Sequence, residues 1–377
     1  MVPMIEEIDF LAALVEKVNA ANALKTPLRI RGGGSKDFYG QTLKGDILDM
    51  SSFTGVISYE PSELVVTARA GTPLAEVEAL LAAQGQCLPF EPPHFGEVTQ
   101  ATLGGMVASG LSGPARASVG AVRDFMLGVK LINGRGQHLT FGGQVMKNVA
   151  GYDVSRLMAG SMGTLGLITE VSLKVLPIAP AEATLRFICS QAQALSWLNA
   201  WGAKALPLNA SCWVKEAEAD DVGSLYLRLR GASAAVEAAC KVLGGDRQNT
   251  AEAAADWQAC RDQRLPWFKA RKSSQDLWRL SVPQTTPVLD LPDSPLVEWH
   301  GGLRWVRASA QDAPHLRAVA AAAGGSATLF IASNDDNQTD MARFDALKSP
   351  LDRIHRDLKH QFDPFAVFNP NRMSLDW

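Results

Sequence analysis

Leu28-Arg29-Ile30-Arg31-Gly32-Gly33-Gly34-Ser35, near the amino end, reads as a short strand running straight into three glycines. Successive glycines permit backbone conformations in which several N–H groups converge, and they let the main chain approach a ligand closely. Such a concavity binds anions. A diphosphate is the natural guest, each charge-assisted bond being worth roughly 1.5–3 kcal/mol. A flexible turn has the same composition, so this loop alone decides nothing. Two further loops share its texture. Thr99-Gln100-Ala101-Thr102-Leu103-Gly104-Gly105 continues to Ser109-Gly110, and Lys147-Asn148 leads to Gly160-Ser161-Met162-Gly163-Thr164-Leu165-Gly166. Small residues and hydroxyls suit a chain lying against a flat, mostly apolar ring, and three such loops point to one extended ligand.

Working outward, apolar residues at Leu11, Leu14, Val15 and Val18 predict a helix over 9–22 with Asp9 as its N-cap. Strands are expected at 47–50, 56–59 and 64–69. After Gly71, Thr72 as N-cap and Pro73 at the first helical position open a helix through Ala83. From Gly85 to Gly120 periodicity disappears, and the segment reads as one long functional loop. Strands resume at 125–132 and 137–141 around the hairpin signal Asn133-Gly134. A loop over 142–166 leads into a strand pair at 167–175. Pro177 and Pro180 mark a boundary, beyond which helices and strands alternate. The chain closes with a helix over 341–361 and the tail FDPFAVFNPNRM. The class is α+β, with domains over 1–178 and 179–340 and a C-terminal segment, 341–377, returning to the first.

The chain has 377 residues, a formal net charge of -3 and 47% hydrophobic residues, enough for two cores. That balance leaves no basic surplus, which excludes nucleic-acid binding by counterion release. Five cysteines without a CxxC pair exclude a disulfide scaffold, a structural zinc site and an iron–sulfur site. Reduced thiols fit a cytoplasmic protein. The amino end, MVPMIEEIDF, carries acids where a signal peptide needs bases. The longest uncharged stretch, Ala318 to Asn334, is broken by Gly324-Gly325-Ser326 and reads as a helix followed by a strand. Membrane contact is therefore expected only through partners. Other signatures fail. Asp37 stands where GxGxxG needs its last glycine, and Asp46 follows Gly40–Gly45 where a P-loop needs lysine. Neither a GxSxG elbow nor an HExxH helix is present. These absences disfavour NAD dehydrogenases, ATPases, serine hydrolases and zincins.

RGGGSKDFYG, then LPFEPPHFGEVTQATLGGMVASGLSGPARASVGAVRDFMLG, then FGGQVMKNVAGYDVSRLMAGSMGTLGLITEVSLKVLP, resemble the PCMH-type FAD-binding domain of the vanillyl-alcohol oxidase family. Within it they are most similar to the E subunits of bacterial glycolate oxidase. The match is dense from about Arg29 to Pro177 and looser to the C-terminus. The resemblance implies two α/β subdomains clasping FAD, followed by a cap domain with an antiparallel sheet. It implies that Arg31, Gly32, Gly33, Gly34 and Ser35 cradle the diphosphate. Thr99, Thr102, Gly104, Gly105 and Ser109 would line the flavin and ribityl chain, and Gly163, Gly166 and Ile168 the adenosine side. Some relatives tether FAD through a histidine at the place of Ser35, so non-covalent FAD is expected here. An aspartate at Gly33 would set a carboxylate against the diphosphate and abolish binding. The C-terminal NPGR of close relatives is NPNR here, and Asn371 tolerates the left-handed turn.

Oxidation of a small 2-hydroxy acid needs a base, a cation for the carboxylate and an electron sink. Catalytic relatives carry a His- and Gly-rich metal-binding stretch. The six histidines here form no such cluster, and no metal is expected. His355 and His360, five apart, read as surface residues. His94, beside Pro92-Pro93, is a base candidate or a loop histidine fixing a turn. Arg304 and Arg307 in GGLRWVR are carboxylate candidates or a solvated strand face. Five tryptophans from Trp257 to Trp305 read equally as a docking region or as core. The acidic runs 216–221 and 334–340 lack a calcium-loop pattern and read as solvated loops. Two functions stand. In one, the chain is an FAD subunit of a glycolate oxidase complex, beside a homologous catalytic flavin subunit and an Fe–S subunit. In the other, it is a self-sufficient FAD-dependent D-2-hydroxy-acid oxidoreductase. A non-catalytic FAD-binding scaffold is a third, weaker reading.

Overall fold

A computed structural model describes residues 4–97, 100–143, 153–215, 222–333 and 341–376, with side chains from residue 7. The chain divides into two units. One comprises Met1–Leu111, Ala121–Pro177 and Ala346–Trp377, the other Ser112–Gly120 and Ile178–Asp345. The short excursion Ser112–Gly120, inside the second glycine-rich segment, has no counterpart in the sequence boundaries.

The first unit is built on a five-stranded antiparallel sheet, in the order Val56–Glu60, Val65–Arg69, Leu167–Lys174, Met126–Ile132 and His138–Gly142. Val65–Arg69 is buried at every position, which is why it reads as a run of small and branched residues without alternation. Its inward Thr67 hydroxyl is paired with that of Ser172 at 2.8 Å. The helices Met4–Leu24 and Leu74–Ala82 lay Leu14, Val18 and Ala21, and Leu74, Val77 and Leu81, into the same core. Each fully buried aliphatic side chain there contributes roughly 1.5–3 kcal/mol. Beside the sheet, Leu28–Arg31 pairs in parallel with Asp46–Asp49, and Phe368 of the C-terminal tail bridges to Leu28.

Several local expectations are corrected. The first helix begins before Asp9, so Asp9 is not its cap. Thr72 does not cap the second helix either. Pro73 holds the N-cap place, and the Thr72 hydroxyl is spent on Gly55, accepting from its N–H at 2.9 Å. The segment 85–120 contains the strand Gln86–Cys87 and the helices Leu103–Ser109 and Arg116–Val119. Leu167–Lys174 is one strand, not a pair. The last helix is Leu351–Phe362 and does not start at Met341. Pro350 precedes it, and upstream the Arg343 carbonyl accepts from Leu329 N at 2.8 Å, extending a strand contact where a helix was expected. The acidic runs 216–221 and 334–340 lie outside the described residues.

The second unit carries an eight-stranded antiparallel sheet, in the order Asp246–Arg247, Ala181–Ser190, Val222–Gly231, Leu208–Lys215, Leu296–Glu298, Leu303–Ala308, Asp276–Ser281 and Ser326–Ile331. Strand alternation sends Leu225, Leu227 and Leu229 to one face, where Leu195, Leu198 and Val236 of the helices Gln191–Gly202 and Ser233–Leu243 meet them. Trp257, Trp267, Trp278, Trp299 and Trp305 are all buried. Three of their indole N–H groups are spent internally, on Thr184 Oγ1, Gly113 O and Glu298 Oε1. The tryptophan-rich region is therefore core, and the docking reading is dropped. No described helix is long and apolar enough to cross a membrane.

His300 gives this unit a titratable lock. Its φ is 53°, its Nδ1 pairs with Ser211 Oγ at 3.1 Å and its Nε2 with Ser118 Oγ at 2.9 Å. Burial lowers its pKa to about 4. The unfolded chain therefore takes up this proton first. The stability that His300 contributes is complete above its ordinary pKa of about 6.5 and is lost as pH falls towards 4. The loss amounts to about 3 kcal/mol. His300→Asn, which tolerates the same φ, is expected to unfold less steeply with acid than the wild type between pH 6.5 and 4. Parallel denaturant midpoints for the two proteins across this range would remove His300 from the acid response.

Candidate cofactor site

The first glycine loop turns at Gly34, with φ of +74°, where Asp37 N donates to Gly34 O at 3.1 Å. The Asp37 carboxylate gathers Arg29 Nη2 at 2.5 Å and Arg31 Nε at 3.1 Å. Among the described residues, the N–H groups of Gly33, Gly34 and Ser35 donate to no protein acceptor. Three consecutive amides are thus left for a guest, as an anion cradle requires.

Close backbone approach explains the glycines. A Cβ on Gly33 would stand 1.7 Å from Gln100 O, and one on Gly32 would stand 2.3 Å from Thr102 Oγ1. Gly33 is therefore demanded by the neighbouring loop, so substitution there meets a steric barrier in addition to any effect of charge. Within the second loop, Thr102 caps the helix Leu103–Ser109 by accepting from Gly105 N at 3.2 Å. Gly104 donates to Ala70 O at 2.8 Å, and the Ser109 hydroxyl donates to Met106 O at 3.0 Å. The third loop is tied to the second through Gly160 N to Val107 O at 2.9 Å and Met162 N to Ala108 O at 2.8 Å.

These ties bring the loops around two adjoining clefts. One is lined by Arg31, Gly32, Gly33, Gly34, Ser35, Thr102, Gly105 and Ser109. The other is lined by Gly32, Thr102, Gly104, Gly105, Gly163, Gly166 and Ile168. They enclose only about 90 and 70 Å³, so a dinucleotide would also need the open groove beside them. Thr99 lies outside the described residues. The cradle fits FAD in its unspent amides and in walls that a Cβ would fill.

Two residues that the sequence reading passed over complete the clefts. Asn369 accepts from Ile30 N at 2.8 Å and donates to Met162 O at 2.7 Å, bridging the first strand to the third loop. Arg372 donates to Asp37 O at 2.9 Å and to the carbonyls of Tyr39 and Gln41. The buried Lys359 ammonium ties the same tail to the third loop, through Thr164 O at 2.8 Å and Phe368 O at 2.9 Å. Burial pulls its pKa down, while Asp363 opposes the shift. Asn371 has φ of 62°, the left-handed turn that NPNR allows. The only sequence signal was this asparagine-rich motif, read as a turn.

The catalytic candidates are placed elsewhere. His94 Nε2 pairs with Glu78 Oε2 at 2.9 Å, outside both clefts, and serves as a loop anchor. Arg304 is wholly buried, donates to Thr286 O at 3.2 Å, and is lowered to about 10 by burial. Arg307 is engaged by Asp293 at 2.9 Å and lies over the Trp267 ring. Both arginines are bound to structural partners outside the two clefts, although Arg304 Nε is buried without a hydrogen-bond partner among the described residues. Among the described residues no cluster of three or more His, Cys, Asp or Glu is able to hold a metal.

A family model described as an FAD binding domain matches residues 10–142. Glycolate oxidase subunit GlcE of Escherichia coli (strain K12) is 46% identical over 370 residues, 98% of this chain and 99% of that protein. Glycolate oxidase subunit GlcD of Bacillus subtilis (strain 168) is 29% identical over 163 residues, 43% of this chain and 34% of that protein. A solved alkyldihydroxyacetonephosphate synthase matches with a TM-score of 0.64 at 16% identity, over 95% of this chain and 75% of that one, and shows a shared fold alone. With an α+β fold of PCMH type and an FAD-binding domain match that spans the first two loops, the chain belongs to the GlcE family of glycolate oxidase subunits, among the FAD-dependent oxidoreductases.

Proposed function

We propose that the chain is the FAD-holding subunit of a glycolate oxidase assembly that converts glycolate to glyoxylate and passes electrons to an Fe–S partner. The observation that carries this reading is the asymmetry of the site. The glycine loops offer unspent amides to a dinucleotide, while His94, Arg304 and Arg307, the base and cation candidates, each bond structural partners outside the clefts. Arg31 to Ser35 would hold the diphosphate through the amides of Gly33, Gly34 and Ser35. Thr99, Thr102, Gly104, Gly105 and Ser109 would line the flavin and ribityl chain, and Gly163, Gly166 and Ile168 the adenosine side. Bound FAD supplies a two-electron acceptor. Ser35 offers no imidazole for a tether, so the cofactor is held non-covalently. Abstraction of the substrate proton falls to a homologous flavin subunit, and any iron–sulfur relay to a further one, since the cysteines here form no ligand cluster among the described residues. Any membrane contact of this cytoplasmic assembly would be made through those partners.

The test is spectroscopic. The purified chain is expected to be yellow, to release its flavin on acid precipitation, and to stay oxidised when glycolate is added anaerobically. Adding the partner subunits is expected to bleach it. Bleaching of the isolated chain at a catalytic rate would instead establish a self-sufficient 2-hydroxy-acid oxidoreductase. A yellow chain that never bleaches in the assembly would be a scaffold. A folded but colourless chain that takes up no added FAD would overturn the cofactor assignment.

A further inference from the structure

The second unit contains a cavity of about 540 Å³, well within the size range of small-molecule sites and far larger than the enclosed part of the flavin clefts. It lies between the sheet face opposite the Leu225–Leu227–Leu229 core and the helices Thr250–Arg261 and Pro266–Lys269. Thr184, Cys212, Tyr226 and Leu296 come from the sheet, and Ala253, Trp257, Cys260 and Trp267 from the helical side.

Its aromatic walls are fixed without a guest. Trp257 is held by its 2.9 Å bond to Thr184 Oγ1. Trp267 is covered by the Arg307 guanidinium at 4.7 Å from its centroid, and Asp293 holds that guanidinium in turn. Preset walls lower the ordering cost of binding a flat molecule. A region that served only as core would close this space, because interiors pack to crystal density. Instead, small Ala253 and Ala270 stand at lining positions where larger side chains would fill it.

Charge selects the class of guest. The Cys260 thiol is hydrogen-bonded to Cys212 and fully buried, and both effects, with the Glu298 carboxylate beside it, raise its pKa well above the ordinary range, so this thiol is uncharged. At the rim, Lys215 and Arg307 are matched by Glu252 and Asp256, and Arg307 is already neutralised by Asp293. No net positive charge remains to draw an anion. Among the described residues the Lys215 ammonium makes neither an ion pair nor a hydrogen bond, and it stands as a donor beside apolar walls.

We propose that this cavity binds a neutral, planar ring compound, its rings against the indoles of Trp257 and Trp267 and a carbonyl or hydroxyl oxygen accepting from Lys215. The site shares no residue with the flavin clefts and does not depend on the glycolate oxidase reading.

The test titrates the full-length, flavin-loaded protein with 2-naphthol and with naphthalene, followed by tryptophan fluorescence and calorimetry. Saturable one-to-one binding of 2-naphthol is expected. Lys215→Met is expected to weaken 2-naphthol about tenfold, the equivalent of one hydrogen bond to a charged donor, and to leave naphthalene unchanged. Ala253→Phe, which fills the cavity, is expected to abolish both while the flavin absorbance persists. Should Ala253→Phe fail to fold, the Lys215→Met comparison still decides. The proposal is overturned by the absence of saturable binding up to the solubility limit, or by 2-naphthol affinity unaltered in both variants. Equal weakening of 2-naphthol and naphthalene by Lys215→Met would also overturn it.

Discussion

Gly33→Ala is expected to emerge from purification without flavin, as is Gly33→Asp, because the first methyl group already does the damage. A Cβ at this position would lie 1.7 Å from Gln100 O and 2.6 Å from its carbonyl carbon, both backbone atoms of the second loop. No rotamer change relieves such a contact, so one of the two loops must move. Overpacking a well-fitted contact costs typically ~1–3 kcal/mol even when side chains can adjust. Here the displaced chain includes the unspent amides of Gly33 to Ser35 that are proposed to hold the diphosphate. A flavin-to-protein absorbance ratio below a tenth of wild type is expected for both variants, with near-equal FAD affinities by calorimetry. Gly143→Ala is the matched control, since among the described residues a Cβ there meets nothing within 4 Å. A charge mechanism predicts a different pattern, in which alanine is harmless and only aspartate is damaging. Retention of flavin by Gly33→Ala alone would restore that explanation and discard the steric one.

The difference between those two explanations shows how far the sequence carries. Runs of glycine and hydroxyl residues reveal where a backbone must come close to something, and all three loops were legible for that reason. They do not reveal what is approached: Gly33 is required by Gln100 as well as by any guest. The helix Leu103–Ser109 was hidden because Gly104 and Gly105 lower local helix propensity, while its formation rests on the Thr102 cap and on Gly104 fitting against Ala70. The excursion Ser112–Gly120 was invisible because its pairing is with distant residues, as in the bond from Trp299 Nε1 to Gly113 O at 3.0 Å. His94 and Arg307 drew attention as isolated ionisable groups, yet Glu78 and Asp293 stand within hydrogen-bonding distance of them in the fold. Spacing along the chain holds no trace of such partners. The same blindness concealed the tail, whose Asn369 meets Ile30 across a separation of 339 residues.

That tail carries the second large effect. Arg372→Ala is expected to weaken FAD binding by about one to two orders of magnitude, although Arg372 is 5% exposed and the cradle amides belong to a loop more than 300 residues earlier. Its guanidinium donates to the carbonyls of Asp37, Tyr39 and Gln41, and its own carbonyl accepts from Gln41 N at 3.0 Å. Truncation leaves carbonyls in a largely buried turn without donors, at about 1–3 kcal/mol for each buried group stranded. The turn follows Ser35 directly, so its loosening reaches the diphosphate cradle before any other part of the unit. Arg372→Lys restores the charge but not the planar fork that spans several carbonyls at once, and is expected to recover only part of the affinity. Saturating FAD should largely restore the thermal midpoint of Arg372→Ala, because a ligand that binds only the folded cradle offsets its weakening by mass action. Proteolysis should show new cleavage between Lys36 and Gln41 in the flavin-free variant and protection on adding FAD. Wild-type affinity in Arg372→Ala, with no such cleavage, would mean that the first loop keeps its shape unaided and that the C-terminal arginine serves packing alone.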